Sequence, residues 1–266
     1  MARGTRLRQS LANADPVALR TADGIAIAAS HLAADDGGKR VGVMLAHGFS
    51  GHHRKPAQAF IARRLARYAG VLAVDLRGHG ASGGLSTMGD LEVLDVDAGV
   101  RWLRDHGYAL VVTCGWSMGG SVVVRHAALF HDGPGAPDAV VAVSSVSRWY
   151  VRDTAPMRRL HWLVERPLGR AVSRRMLRTR LVEGWDVVPE SPVELAARIA
   201  PTPLLVVHGD RDAYYGLEHA RALVTAAGPT AELWVVVGFG HAEGAAVLMP
   251  EVVERIGSYV ARVGAR

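Results

Sequence analysis

Residues 110–121, LVVTCGWSMGGS, decide the fold. The run 110–114 is continuously apolar, which predicts a strand buried on both faces of a parallel sheet. Ser117 follows it between Gly115 and Gly119, and a helical pattern begins at once. A sharp turn between a strand and a helix needs glycine where a side chain would clash. This stretch therefore predicts a buried strand, a strained turn that exposes Ser117, and a helix.

Short apolar runs alternate with helical patterns on both sides of this stretch. The predicted strands of the parallel part are residues 41–46, 71–76, 110–114, 139–143, 204–207 and 233–237. Helical spacing of apolar residues marks residues 60–68, 91–103, 222–226 and 252–260. Two earlier runs, 17–19 and 25–29, flank Asp23-Gly24, which is a hairpin signal. We therefore expect an α/β fold in which a mostly parallel sheet has an antiparallel start and carries helices on both faces.

One segment, residues 147–192, interrupts this alternation. It has no strand-like run and is instead helical in pattern and dense in arginine. We expect a helical cap, or lid, inserted after the sixth strand and lying above the strand ends. The predicted organisation is a flexible N-terminal arm at residues 1–15 and a single domain at 16–266 that includes this lid.

Composition and charge narrow the class of protein. The chain has 266 residues, of which 49% are hydrophobic and 21% charged, as in folded globular proteins. No apolar run reaches the roughly 20 residues of a membrane span, and the N-terminus does not resemble a secretory signal, so we expect a cytoplasmic protein. The net charge of +6 comes from arginine without any nucleic-acid recognition motif. Cys114 is the only cysteine, which excludes an internal disulfide, and its apolar run predicts a buried, inert thiol.

Ser117 is the candidate nucleophile, because its turn projects the hydroxyl from the sheet edge at a helix N-terminus. A serine hydroxyl needs a base and an orienting acid. His241 follows the last predicted strand and Asp212 follows the strand before it, so parallel strands bring both to the edge that holds Ser117. Asp210 is the rival for the acid, but it lies nearer the strand end and suits a loop-holding role better. Weaker candidates for the base are His47, His52, His53 and His79.

An oxyanion formed at Ser117 would need backbone N–H donors. The N–H of Met118 is one by position. The second is expected from Phe49, in the loop after strand 41–46, where Gly48 allows the backbone to approach closely. Neither a metal nor another cofactor is expected, since the His52-His53 pair lacks partner ligands at a known spacing.

These motifs together resemble the α/β-hydrolase superfamily. The residues that carry the resemblance are 47–49 (HGF), 75–83 (DLRGHGASG), 115–120 (GWSMGG), 209–212 (GDRD) and 240–241 (GH). The second motif is most similar to monoacylglycerol lipases, cinnamoyl-type esterases and proline-iminopeptidase-like serine peptidases. The resemblance extends from about residue 17 to the C-terminus. It implies Ser117, Asp212 and His241 as a catalytic triad, with Phe49 and Met118 as oxyanion donors.

Two comparisons within that superfamily refine the expectation. Haloalkane dehalogenases and epoxide hydrolases carry aspartate, and dienelactone hydrolases cysteine, where this chain has Ser117. Family members usually follow the acid with proline and then Val-Pro, whereas residues 213–216 here read AYYG. The two tyrosines are therefore expected to reshape that wall of the pocket.

The charged and aromatic residues of the lid give information about the substrate. Between residues 148 and 180 it carries ten arginines against Asp153 and Glu165. This pattern suits a solvated helical face, and it equally suits a cationic rim that attracts an anionic substrate or makes weak contact with an anionic membrane surface. Aromatic side chains expected at the substrate pocket or lid are Trp116, Trp149, Tyr150, Trp162 and Tyr214, although the lid aromatics also suit a small core of the lid's own.

The expected function is hydrolysis of a small-molecule carboxylic ester through an acyl-enzyme intermediate. A thioesterase or a serine peptidase would use the same residues, so these alternatives stay open. Cofactor-free perhydrolase or lyase chemistry is a second class, and a non-catalytic ligand-binding protein is a third. The sequence favours no oligomeric state.

Overall fold

The computed structural model describes residues 14–265, and all but the last two residues of the predicted N-terminal arm lie outside them. The described chain forms one eight-stranded sheet in the order β1-β2-β4-β3-β5-β6-β7-β8. The strands are β1 Asp15–Arg20, β2 Ala26–Leu32, β3 Val41–Ala46, β4 Gly70–Val74, β5 Leu110–Trp116, β6 Ala139–Val143, β7 Leu204–Gly209 and β8 Ala231–Val236. Strand β2 is antiparallel to β1 and β4, and every other pairing is parallel. The predicted fold class is confirmed.

Helices cover both faces of this sheet. They are α1 Pro56–Leu65, α2 Glu92–Asp105, α3 Met118–Leu129, α4 Ala155–Glu165, α5 Pro167–Met176, α6 Pro192–Leu195, α7 Leu217–Ala227, α8 Ala242–Leu248 and α9 Pro250–Ala265. Short 3₁₀ helices add Ala196–Ile199 and Gly228–Thr230. No helix among residues 14–265 is long and apolar enough to cross a membrane.

The continuous apolarity of the central strands follows from burial on both faces. All six residues of β3 are buried. Met44 and Ala46 pack in the core on the α2 and α3 side, whereas Val43 and Leu45 pack in the core on the α1 and α9 side. Successive side chains of a strand point to opposite faces, so a strand between two helical layers needs apolar residues throughout.

Several predicted strand ends differ from the structure by one to three residues, and the end of β4 is an instructive case. The run 71–76 predicts a strand to residue 76, but β4 ends at Val74. The Asp75 carboxylate accepts hydrogen bonds from the backbone N–H groups of His53 and Ala81, and the N–H of Leu76 donates to the His47 ring at 3.0 Å. The Asp75 N–H still donates to the Ala28 carbonyl of β2 at 2.8 Å, but the Leu76 N–H is taken by the histidine ring, so the strand ends although the sequence is still apolar at Leu76.

The cap comes after the sixth strand, as predicted, and consists mainly of α4 and α5. The two helices cross closely at Gly169, where a Cβ atom would lie 2.1 Å from the carbonyl oxygen of Trp162. The chain after α5 then runs back along the loop that follows β4. The Arg180 N–H donates to the Gly78 carbonyl at 2.8 Å, and the Trp185 indole donates to the Thr87 carbonyl at 2.6 Å. These bonds hold the cap against the body of the domain.

Cys114 lies in the interior of the sheet and is fully buried. Burial raises the pKa of its thiol to about 12. The thiol is therefore neutral and inaccessible at ordinary pH, in agreement with the sequence prediction.

A buried histidine in α3 makes stability depend on pH. Burial, with a smaller contribution from Arg101, lowers the pKa of His126 from 6.5 to about 3. Its ring packs on Phe130 with a centroid distance of 5.0 Å, and neither ring nitrogen has a hydrogen-bond partner among the described residues. The unfolded chain therefore binds a proton below pH 6.5 that the folded chain excludes, and stability decreases as pH falls from 6.5 towards 3.

We expect His126→Phe to remove part of this pH dependence. Between about pH 7.5 and pH 5, the free energy of unfolding of the variant should fall by roughly 1–2 kcal/mol less than that of the parent. The reason is that phenylalanine cannot bind the proton that the unfolded parent takes up at His126. Urea unfolding at the two pH values measures the difference. The control is His106→Gln, at an exposed histidine, which should lose as much free energy of unfolding between the two pH values as the parent does. An equal loss in His126→Phe and the parent would contradict this account of His126.

Candidate active site

Ser117 occupies a strained turn between β5 and α3. Its backbone has φ 51° and ψ −117°, a conformation that non-glycine residues rarely adopt. A Cβ at Gly115 would lie 2.1 Å from the Gly119 carbonyl oxygen, and a Cβ at Gly119 would lie 2.6 Å from the His47 carbonyl oxygen. Only glycine fits at either position. The turn is held by the Ser117 N–H, which donates to the Val143 carbonyl at 2.8 Å.

The structure brings the three predicted residues into one hydrogen-bonded chain. Ser117 Oγ lies 2.9 Å from His241 Nε2, and His241 Nδ1 lies 2.8 Å from Asp212 Oδ2. Asp212 is in the loop after β7, and His241 lies between β8 and α8. The parallel strands end at one edge of the sheet, and their loops converge there although the residues are far apart in sequence.

Asp212 is held as a charged group. Burial by itself would raise the pKa of this carboxyl, but the hydrogen bond and charge of His241 and the backbone N–H groups of Tyr214 and Tyr215 lower it below its ordinary value. Those N–H groups donate to Asp212 Oδ1 at 2.8 and 3.2 Å. One oxygen is thus fixed by the backbone and the other faces the imidazole, which fixes the orientation of the His241 ring.

The rival acid, Asp210, has a different position. It is exposed, and its Oδ1 accepts a hydrogen bond from the Gly238 N–H at 2.7 Å. It therefore joins the loop after β7 to the loop after β8, as its nearness to the strand end suggested.

Three of the four rival histidines, His47, His53 and His79, are buried and bond to groups other than Ser117, and His52 is half-buried. His47 donates from Nδ1 to the Gly48 carbonyl at 2.7 Å and accepts from Leu76 N–H at Nε2. Burial and the neighbouring His79 lower the pKa of His47 to about 3, so its ring is a neutral structural group. The His53 Nδ1 lies 2.7 Å from the Asp75 carboxylate inside the protein.

The two predicted oxyanion donors lie beside Ser117. A Cβ on Gly48 would be 3.1 Å from the Ser117 Cβ, so the loop that carries Phe49 packs directly against the serine. Met118 is the first residue of α3, where backbone N–H groups lack an acceptor within the helix. Phe49 and Met118 both line a cavity that includes Ser117.

Glu243 is a site residue that sequence reasoning missed. Its Oε1 accepts a hydrogen bond from the Gly48 N–H at 2.7 Å. The residue stands two positions after His241, in the first turn of α8. This position, in the first turn of a helix and next to the predicted base, could have indicated from the sequence that an acidic side chain lies at the pocket wall.

The two tyrosines that depart from the family pattern form part of the site. The Tyr214 ring stacks on the His241 imidazole, with centroids 4.1 Å apart and planes 23° apart. Tyr215 is buried, and its ring meets the same imidazole edge-on at 5.5 Å. Aromatic contact therefore restrains the ring of His241 from two sides.

Two cavities meet at Ser117. The first, about 270 Å³, extends under the cap and is lined mainly by apolar and aromatic side chains, including Met88, Trp149, Tyr150 and Met157. The second, about 310 Å³, is lined by Tyr214, His241 and Glu243 together with the apolar Leu160 and Leu163 of α4. Ser117, Phe49, Leu160 and Tyr215 are common to both.

Two of the residues predicted for the substrate pocket or lid line neither cavity: that prediction is wrong for Trp116, whereas Trp162 does lie on the cap helix α4. Trp116 is fully buried in the core on the α1 and α9 side of the sheet, because side chains alternate along β5 and only Ser117 turns outward. Trp162 is 44% exposed, since Leu160, His161 and Val164 occupy the face of α4 that lines the first cavity. Of the other aromatic residues proposed from sequence, Trp149 and Tyr150 line the first cavity and Tyr214 the second.

The cap arginines are partly engaged. Arg152 pairs with Glu165 at 2.6 Å, and Arg170 with Glu183 at 3.6 Å. Arg148 and Arg152 line the first cavity, and Arg159 lines the second. Among residues 14–265 there is no group of three or more His, Cys, Asp or Glu side chains arranged to hold a metal ion.

Comparison with known proteins gives the same fold. No curated protein sequence matches the chain. The esterase Pf2001 of Pyrococcus furiosus is 25% identical, with a TM-score of 0.73 over 94% of this chain and 91% of that one. The alpha/beta hydrolase GrgF of Penicillium sp. sh18 is 18% identical, with a TM-score of 0.74 over 95% and 99% of the two chains. Est1E of Butyrivibrio proteoclasticus, solved with ferulic acid, is 18% identical, with a TM-score of 0.60 over 90% and 96%.

The sequence model of the Alpha/beta hydrolase family matches residues 43–256, which is most of the chain. That range contains the Ser117 turn, Asp212 and His241. The chain belongs to the alpha/beta hydrolase family, and this membership supports hydrolase activity.

Proposed function

We propose that the protein is a serine hydrolase that cleaves a carboxylic ester through an acyl-enzyme intermediate. Ser117 is the nucleophile, His241 the general base and acid, and Asp212 the group that orients His241. The observation that carries this proposal is the continuous chain of hydrogen bonds from Asp212 through His241 to Ser117. This chain ends at two cavities that could hold the two halves of an ester.

The reaction follows from the geometry. Ser117 Oγ attacks the ester carbonyl carbon while His241 Nε2 accepts its proton, and Asp212 stabilises the imidazolium through Nδ1. The negative oxygen of the tetrahedral intermediate accepts hydrogen bonds from the N–H groups of Phe49 and Met118. Collapse breaks the bond to the leaving oxygen, which receives the proton from Nε2. Water then attacks the acyl-enzyme by the same route and releases the acid.

The first cavity favours an ester with an apolar acyl group. Its lining is mainly apolar and aromatic, and burial of apolar surface is the main source of affinity in such pockets. The similar protein Pf2001 of Pyrococcus furiosus is an esterase, and the similar structure of Est1E holds ferulic acid. A thioester or an amide would use the same residues, so leaving-group screening decides among these substrates.

Replacement of the proposed catalytic residues should abolish turnover of p-nitrophenyl octanoate. We expect Ser117→Ala, His241→Ala and Asp212→Asn each to lower kcat by on the order of 10⁴-fold, because each removes a member of one proton-transfer unit. The matched control is Asp210→Asn, two residues from Asp212, which should retain activity within about threefold. Initial rates of p-nitrophenol release measure all four variants.

Two results would contradict this assignment. Full activity in Ser117→Ala would exclude Ser117 as the nucleophile. A loss in Asp210→Asn as large as that in Asp212→Asn, with both proteins folded by circular dichroism, would remove the distinction between the two acids.

The stacked Tyr214 should contribute to turnover through its ring. Tyr214→Leu keeps the backbone N–H that binds Asp212 but removes the aromatic face on His241, where an imidazolium forms during the reaction. We expect kcat to fall about three- to tenfold, the scale of an aromatic or cation–π contact. Tyr214→Phe keeps the face and should stay within about twofold of the parent. Equal losses in both variants would indicate that the hydroxyl, and not the stacking, matters.

A further inference from the structure

The two cavities beside Ser117 take opposite ends of the substrate. His241 lines the second cavity but not the first. Its Nε2 must deliver a proton to the leaving oxygen, so the leaving group has to lie on the side of His241. On the proposed function, the second cavity is therefore the leaving-group cavity and the first, apolar one is the acyl cavity.

Glu243 places a fixed carboxylate in the leaving-group cavity. Its Oε1 is tied to the Gly48 N–H at 2.7 Å, which restrains the side chain. A Cβ on Gly48 would lie 3.1 Å from the Ser117 Cβ and 3.3 Å from Glu243 Oε2, so both groups lie beside Gly48, and both residues line the same cavity. Within residues 14–265, Glu243 forms no salt bridge. The leaving-group cavity thus contains a half-buried negative charge without a cationic protein partner.

This charge has a chemical consequence during the reaction. The tetrahedral intermediate carries a negative oxygen beside Ser117, and a nearby carboxylate raises its energy. A positive charge on the leaving group would pair with Glu243 and offset this repulsion. Such pairing would stabilise the transition state as well as the bound substrate, and so would raise kcat/KM.

The surroundings favour a cation of the alkylammonium kind. Tyr214 and Tyr215 line the same cavity, and aromatic faces attract quaternary ammonium groups. Arg159 also lines it and opposes this preference, but Arg159 is exposed on α4 whereas Glu243 is half-buried. Solvent and salt screen the exposed charge of Arg159 more strongly than the partly buried charge of Glu243, so Glu243 has the larger effect of the two on a charge beside Ser117.

We infer that Glu243 makes the enzyme selective for esters whose leaving alcohol carries an alkylammonium group. The inference rests on the proposed function, and it assigns a specificity-determining carboxylate to the leaving-group cavity. It concerns the alcohol half of the substrate, while the acyl half remains apolar.

Three octanoyl esters test this selectivity with the acyl group held constant. Octanoylcholine carries the cation, 3,3-dimethylbutyl octanoate is its neutral isostere, and the octanoyl ester of 4-hydroxybutyrate carries an anion. For the parent protein we expect kcat/KM to be at least about tenfold higher for the choline ester than for the neutral one, and lowest for the anionic one. In 0.5 M NaCl the difference in kcat/KM between the choline and neutral esters should become smaller, because salt screens the attraction between the cation and Glu243.

The matched variants are Glu243→Gln and Arg159→Gln. The glutamine carbonyl can still accept the Gly48 N–H, so Glu243→Gln should lower kcat/KM for the choline ester about tenfold and leave the neutral ester within about threefold. Arg159→Gln should leave the cation preference in place. Equal losses on both esters in Glu243→Gln would overturn the inference and make Glu243 only a support of the Gly48 loop. A preference of the parent for the anionic ester would also overturn it and would favour the cap arginines.

A binding measurement separates this inference from the proposed function. Octyltrimethylammonium is titrated calorimetrically into Ser117→Ala protein with and without Glu243→Gln, so that no turnover is required. At least about fivefold weaker binding in the double variant supports the cation site even if none of the esters is hydrolysed. Equal binding to both proteins overturns it even if the esters are hydrolysed.

Discussion

The contact on which the site depends is the packing of the Gly119 backbone against the carbonyl oxygens of Ala46 and His47. A Cβ at Gly119 would come within 2.7 Å of both oxygens, so no other residue allows β3 and the start of α3 to approach this closely. The same contact places the loop of Gly48 and Phe49 over the Ser117 turn. One close approach of two backbones therefore fixes the nucleophile and both proposed oxyanion donors in relation to each other.

The remaining parts of the site follow from the parallel sheet and the cap. Strands β7 and β8 deliver Asp212 and His241 to the same edge, and Tyr214 and Tyr215 restrain the acid through their N–H groups and the imidazole through their rings. The cap then divides the space above Ser117 into an apolar cavity and a more polar one. The loops of the sheet thus orient the proton-transfer residues, whereas the cap separates the spaces proposed for the two halves of the substrate.

Much of this arrangement could be predicted, because parallel sheets and strained serine turns leave strong signals. Continuous apolar runs located the central strands, and the glycines around Ser117 marked the turn. The end of β4 was misplaced because apolar Leu76 gives its N–H to a histidine ring. Trp116 and Glu243 were misassigned or missed because facing direction depends on strand alternation and helix phase. The alternation along β5 was available from the sequence, whereas the contact of Glu243 with Gly48 joins two loops far apart in sequence and is a tertiary feature.

The central claim, that Ser117 is an activated nucleophile, is tested most directly by locating a covalent adduct. The purified protein is incubated with a fluorophosphonate probe, digested, and analysed by peptide mass spectrometry. The account predicts one stoichiometric adduct, on the Ser117 peptide, that does not form after acid unfolding because the hydrogen-bonded unit is then lost. A folded protein that remains unlabelled, or an adduct on a different residue, would contradict it.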